Sequence, residues 1–151
     1  MIVYRLAKAE FVALDGDGAR LFGGRWNSAG RPMIYTAASP SLAVLEVLVH
    51  LDLPAELMPD DYRLLSIEIP DDAPVERLDR TPVDAEACLA IGDDFLVRGA
   101  ALILITPSVV VPQERNGLIN PRHVAMSAVR LVNNQAFRFD PRLLERERFG
   151  G

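Results

Sequence analysis

The sequence predicts an α+β fold in one domain spanning residues 1–151. Three observations predict it. The length suits one domain and is short for two. Half of the residues are hydrophobic and a quarter are charged, the balance of an ordinary globular chain with a core of its own. The strand-like segments mostly follow one another through loops, with few helices between them, which argues against a doubly wound parallel sheet.

The elements follow in order. Residues 2–6 read as a short strand. Residues 15–30 hold five glycines in sixteen positions and read as a loop. Residues 33–36 (MIYT) form a second short strand. At Ser39-Pro40 a helix starts, because serine caps free amides and proline fits the first turn. It runs to His50 or Leu51, before Pro54. Residues 63–69 (RLLSIEI) alternate well enough for a half-buried strand ending at Pro70. Residues 82–98 are mostly helical, with an interruption near Gly92. Residues 100–106 are an apolar run that reads as a buried strand ending at Pro107, and 109–111 suit a further short one. Residues 113–123 read as a polar loop. Residues 124–131 and 136–139 look like strands joined through Asn133-Asn134, a turn signal, and Asp140-Pro141 opens a short C-terminal helix.

Composition narrows the function. One cysteine, Cys88, excludes an internal disulfide and a cysteine-only metal cage, and with two histidines a catalytic zinc site is not expected. The expected metal content is therefore none. No apolar run approaches the roughly 20 residues of a membrane helix. The N-terminus lacks a basic-then-apolar signal pattern, so a cytoplasmic location is expected. The net charge of −5 is uneven: +2 over residues 1–31, −10 over 32–99 and +3 over 100–151. Overall acidity argues against a grip on long nucleic acid, but leaves room for a small anionic ligand between the basic ends.

A few residues stand out as carriers of chemistry. In Gly23-Gly24-Arg25-Trp26-Asn27, the glycines allow a close backbone approach or positive φ. The Arg25 fork suits a phosphate or a surface ion pair. Trp26, the one tryptophan, reads first as a core anchor. Tyr35 reads as a packing residue that could also stack on a flat ligand. Glu46 is the single acid in a helix that is apolar on nearly every face, and helical spacing places Ala43, Glu46 and His50 together. Such a carboxylate needs partners: either an arginine from another segment, or a catalytic role on a rigid element. Ser108 follows the buried strand as a turn residue or a presented hydroxyl, without the acid–histidine neighbours of a hydrolase nucleophile. Asn116, Asn120 and His123 lie among turn formers, where satisfying loop backbone is the ordinary role.

Taken together, these strings resemble the RES domain family. The matching stretches are GARLFGGRWNSAGRPMIYTAASPSLAVLEVLVHL, GDDFLVRGAALILITPSVVVPQERNGLINPRH and FRFDPRLL. The defining arginine, glutamate and serine fall on Arg25, Glu46 and Ser108, and the family's site tyrosine on Tyr35. Phe95 and Gly117 depart from common members, which carry tryptophan and a bulkier residue there. The resemblance implies a split, strongly twisted sheet like that of ADP-ribosylating toxins, flanked by helices. It implies the toxin of a bacterial type II toxin–antitoxin pair that cleaves the nicotinamide–ribose bond of NAD+, by hydrolysis or phosphorolysis, with NAD+ as substrate and no cofactor. Arg25, Glu46 and Ser108 would be catalytic; Arg25, Trp26, Tyr35, Ser108 and Asn116 would contact NAD+; Gly24, His50, Asn120 and His123 would support them. The implied partner is an Xre-like helix-turn-helix antitoxin, in a heteromeric complex that could contain a toxin homodimer. A protein ADP-ribosyltransferase is the alternative, with a ribonuclease toxin or a non-catalytic antitoxin-binding module more remote.

Overall fold

The strand β1 (Ile2–Lys8) lies near the middle of a seven-stranded sheet and determines its shape. The other strands are β2 (Ile34–Ala37), β3 (Tyr62–Glu68), β4 (Val75–Arg77), β5 (Ile103–Pro107), β6 (Arg115–Ile119) and β7 (Arg130–Ala136), in the order β4-β5-β6-β2-β1-β3-β7. The computed structural model describes residues 1–51 and 53–144. All neighbours are antiparallel except β4 and β5. β1 pairs with β3 along its whole length, from Ile2↔Glu68 to Lys8↔Tyr62. Against β2 it keeps a single register pair, Tyr4↔Ala37. The sheet therefore parts into β4-β5-β6-β2 and β1-β3-β7. This is the split sheet of an α+β domain, with three α-helices among the described residues: α1 (Asp17–Phe22), α2 (Pro40–Leu48) and α3 (Ala85–Arg98).

Strand alternation sends side chains to two faces. One face carries a continuous aliphatic core from both halves, including Val3, Ile34, Leu65, Ile67, Ile103 and Ile119. The other carries two separate clusters. Trp26, Met33, Cys88, Phe95, Leu104 and Leu118 gather around α3. Leu6, Ala37, Leu42, Ala43 and Tyr62 gather around α2.

Helix α2 starts as its sequence predicts: Ser39 Oγ accepts a hydrogen bond from the Leu42 amide at 3.1 Å, and Pro40 occupies the first turn. It ends at Leu48, slightly short of His50. Helix α3, capped by Asp84 and closed by Gly99 at φ 61°, runs unbroken through Gly92. That glycine is a contact point instead of an interruption. A Cβ there would lie 1.7 Å from the Trp26 carbonyl oxygen, so the loop 23–30 lies directly on the helix backbone.

Elsewhere the structure differs from expectation. Residues 17–22 form α1 inside the glycine-rich stretch; Gly16 (φ 68°) and Gly23 (φ 71°) bound this short helix instead of dissolving it. β6 lies in the segment expected to be a polar loop. Its register with β2 and β5 supplies the pairing that its polar residues do not advertise. Residues 109–111 make no strand, because the Ser108 hydroxyl caps a turn there. Residues 124–128 form a 3-10 helix. Asn133 and Asn134 sit within β7 and not at a hairpin turn; the irregularity falls at a bulge, where Ser66 and Ile67 face Asn133 and Leu131 and leave Val132 unpaired. The short helix after Asp140 is a 3-10 turn, Pro141–Leu143, capped by the Asp140 carboxylate.

Gly92→Ala should destabilise the fold by about 1–3 kcal/mol, because backbone on both sides must move. Thermal unfolding measures it, and an unchanged midpoint would mean that the loop and α3 separate without cost.

Candidate active site

Between the α2 and α3 clusters, where β1 leaves β2, a cavity of about 780 Å³ opens. That is a size suited to a cofactor-sized molecule. Its floor includes Tyr4, Leu6, Tyr35 and Leu118; one wall is α1 with Gly24, Arg25 and Trp26, and the other is the end of α2 at Glu46 and Val47 with the residues that follow it, Val49 and His50.

Glu46 is half-buried in that wall. The Ser108 hydroxyl donates to its Oε1 at 2.7 Å. A hydroxyl has one proton and two lone pairs. Both acceptor positions of the buried Ser108 are taken, by the Val110 and Val111 amides, each at 3.0 Å. The proton therefore has one direction left, toward the carboxylate. The turn after β5 aims the serine, and the serine aims the glutamate. Glu46 has no arginine partner among the described residues, so the ion-pair alternative is not what this helix builds. A second brace acts on the same helix: Ser39 donates to Glu114 Oε1 at 3.0 Å, and the Ser108 amide donates to the Glu114 carbonyl at 2.9 Å.

Arg25 is exposed at the opposite lip, with no hydrogen bond or ion pair from its guanidinium among the described residues. Its loop is held tightly. The Asn27 side chain is buried and donates to the Ala19 and Arg31 carbonyls at 2.8 and 2.9 Å. Tyr35 donates its hydroxyl proton to Asn27 Oδ1 at 2.6 Å and accepts from the Trp26 amide at 2.9 Å. Burial pushes the Tyr35 phenol up to about 12, so it stays protonated at neutral pH. Its polar end is committed to the loop, and only the ring is left to face the cavity.

The remaining residues divide. Gly24 is required by its neighbour: a Cβ there would lie 2.6 Å from the Tyr35 oxygen. Trp26 is buried in the α3 cluster, as a core anchor whose edge reaches the cavity. Asn116 and His50 line the cavity, Asn116 donating to the Thr36 carbonyl at 3.3 Å. Asn120 and His123 do not join it. Asn120 Oδ1 accepts from the Arg122 amide, and His123 Nδ1 caps the 3-10 helix by accepting from the Ala125 amide, each at 3.0 Å. They satisfy local backbone, which corrects their expected supporting place.

Sequence reasoning missed Arg5. It lines the cavity at the split, where its Nη1 donates to the Tyr35 carbonyl at 3.1 Å. Burial pulls its pKa below the ordinary value, against the opposing influence of Asp15. The available signal was a lone arginine inside the strand segment IVYRLAK. Among the described residues, no three His, Cys, Asp or Glu side chains converge to hold a metal.

The RES domain family matches residues 2–140. The chain belongs to the RES domain family. Relatives within it include a protein named Toxin Res from Photorhabdus laumondii, 42% identical over 131 residues, covering 80% of this chain and 82% of that one. A Toxin Res from Yersinia enterocolitica is 38% identical, covering 95% and 99%. A protein named Prs ADP-ribosylating toxin from a Sphingobium species is 35% identical, covering 88% of each. This RES domain also shares its fold with a chain in the crystal structure of the M. tuberculosis MbcT–MbcA toxin–antitoxin complex, at TM-score 0.73 and 24% identity, over 95% of this chain and 86% of that one.

Tyr35→Phe should cost about 1–3 kcal/mol of stability, since it leaves the Trp26 amide and Asn27 Oδ1 without their partner. Denaturant unfolding checks this. A stability equal to the parent would show that the phenol does not hold the loop.

Proposed function

We propose that this RES domain is a toxin that cleaves the nicotinamide–ribose bond of NAD+ and so depletes cellular NAD. The observation that carries this reading is the Glu46 carboxylate, aimed by a Ser108 that lies behind the cavity wall, across one cavity from an arginine fork and a tyrosine ring. Breaking that bond generates an oxocarbenium-like ribose. A carboxylate already aimed into the cavity stabilises the growing positive charge without reorganising. Nicotinamide leaves as a neutral molecule, so one carboxylate suffices and no general acid is required. With water as acceptor the products are ADP-ribose, nicotinamide and a proton; with phosphate, ADP-ribose 1-phosphate replaces ADP-ribose.

The binding roles follow from charge and shape. Arg25 takes a phosphate of the dinucleotide at the lip, and Arg5 adds a second cation at the floor. The Tyr35 ring stacks on nicotinamide, and Asn116 and His50 border the ribose side. Ser108 acts through Glu46. A protein side chain as acceptor is the second reading, favoured by the name of the Sphingobium relative. The solved toxin–antitoxin complex supports an antitoxin partner, and the place proposed for it is over the cleft, where it would block entry. An Xre-like helix-turn-helix protein is the form proposed for it, and the cytoplasm, where NAD is abundant, is the proposed site of action.

Inducing the chain alone in bacteria should stop growth as NAD falls; growth arrest at constant NAD would overturn depletion. Labelled NAD+ incubated with cell extract separates free ADP-ribose or its 1-phosphate from label on a protein band. Glu46→Gln should lower turnover by about 10²–10³-fold with NAD+ binding largely kept. A folded variant turning over at the parental rate would remove Glu46 from the mechanism. Arg25→Ala should weaken NAD+ binding by roughly ten- to a hundredfold, as expected for lost charge-assisted hydrogen bonds, and Lys should restore only part. Calorimetric titration reads both.

A further inference from the structure

Asp93 belongs to α3 and does not line the cavity. Its carboxylate is nonetheless fully engaged with the loop that carries Arg25. Oδ1 accepts from the Ser28 amide at 2.9 Å, and Oδ2 accepts from the Ser28 hydroxyl at 2.5 Å. Arg31 Nε approaches Oδ1 at 3.9 Å. The preceding residue, Gly92, meets the Trp26 carbonyl in direct backbone contact. Helix α3 thus touches the loop immediately after Arg25 and again three residues after it. On its other side the loop is tied to β2 through Tyr35 and to α1 through Asn27. A turn closes the tip, with the Gly24 amide donating to the Asn27 carbonyl at 3.0 Å.

With no hydrogen bond or ion pair among the described residues, the Arg25 guanidinium takes its position from the backbone beneath it. We propose that Asp93 is a positioning residue: it clamps residues 26–31 to α3 and so fixes the Arg25 fork at the geometry that binds the dinucleotide. This rests on the reading that Arg25 binds NAD+. The carboxylate suits the task because it only accepts, and each of its oxygens takes one of the two Ser28 donors.

The sign of the effect separates positioning from electrostatics. Asp93 is negative and lies behind an anion site, so removing its charge should by Coulomb's law tighten binding of an anionic ligand. Loss of positioning weakens it instead. A misplaced fork forfeits part of its charge-assisted hydrogen bonds to phosphate, which together are worth roughly ten- to a hundredfold in affinity.

The test is a double-mutant cycle on the full chain, reading the affinity for carba-NAD, in which a methylene replaces the ribose ring oxygen and cleavage is blocked. Asp93→Ala should weaken binding by about tenfold, at the low end of the loss expected for removing the fork itself. In an Arg25→Ala background the same change should cost less than about twofold, since two residues acting as one unit are not additive. Acrylamide quenching of Trp26, the one tryptophan in the chain, should increase in Asp93→Ala as the loop loosens. Equal factors in both backgrounds, tighter binding in Asp93→Ala, or unchanged quenching would each overturn the clamp while leaving the dinucleotide reading intact. Undiminished affinity in Arg25→Ala alone would overturn that reading, and the clamp with it. Should Asp93→Ala fail to fold, Ser28→Ala removes the hydroxyl contact alone and enters the same cycle with the same outcomes.

Discussion

The site depends on the parting of β1 from β2. A continuous antiparallel ladder would bring these strands within hydrogen-bonding distance along their length and close the floor. With the single pair Tyr4↔Ala37, the strands diverge and leave the Tyr35 carbonyl without a ladder donor from β1. Arg5 supplies the missing donor from its side chain. The substitution has two effects. It satisfies a backbone group that would otherwise be left unpaired in a partly buried setting, and it places a cation beneath the cavity. The continuous aliphatic core on the other face holds the two halves together while this face stays open.

Around that opening, direction is imposed by saturating hydrogen bonds. Ser108 can point its proton only at Glu46, because two amides occupy its lone pairs. Tyr35 can offer only its ring, because Asn27 and the Trp26 amide occupy its hydroxyl. Backbone amides thus help to orient both Ser108 and Tyr35, and through Ser108 the carboxylate of Glu46. Such pre-arranged polar groups are what an electrostatic mechanism requires, since they need not reorganise as charge develops.

Much of this was legible before any coordinates. Glu46 stood out because an acid in an all-apolar helix must answer for its burial, and Ser39-Pro40 marked where that helix begins. The loop with Gly24, Arg25 and Trp26 stood out for its glycines. Three features were hidden, each for a physical reason. β6 is polar at Arg115 and Asn116 and has a glycine at 117, so its strand character exists only in its pairing with β2 and β5. Gly92 suggested a break because glycine weakens helices, whereas close packing against Trp26 is what demands it. Asn120 and His123 shared a resemblance with the site residues, yet their side chains are engaged by amides two residues away. Local capping and site chemistry use the same residue types, and only position in space separates them.

The register of β2 has a consequence for the order of assembly. The strand that carries Tyr35 is held by four register pairs to β6, from Ile34↔Ile119 to Ala37↔Asn116, and by one to β1. Ser108, which orients Glu46, also lies late in the chain. A chain emerging from the ribosome can form the β1–β3 ladder early, but its cavity floor and its aimed carboxylate wait for residues up to about 119. Because chains emerge N-terminal end first, the Glu46–Ser108 arrangement is among the last parts to close. The cavity therefore stays unfinished until nearly the entire described fold is in place.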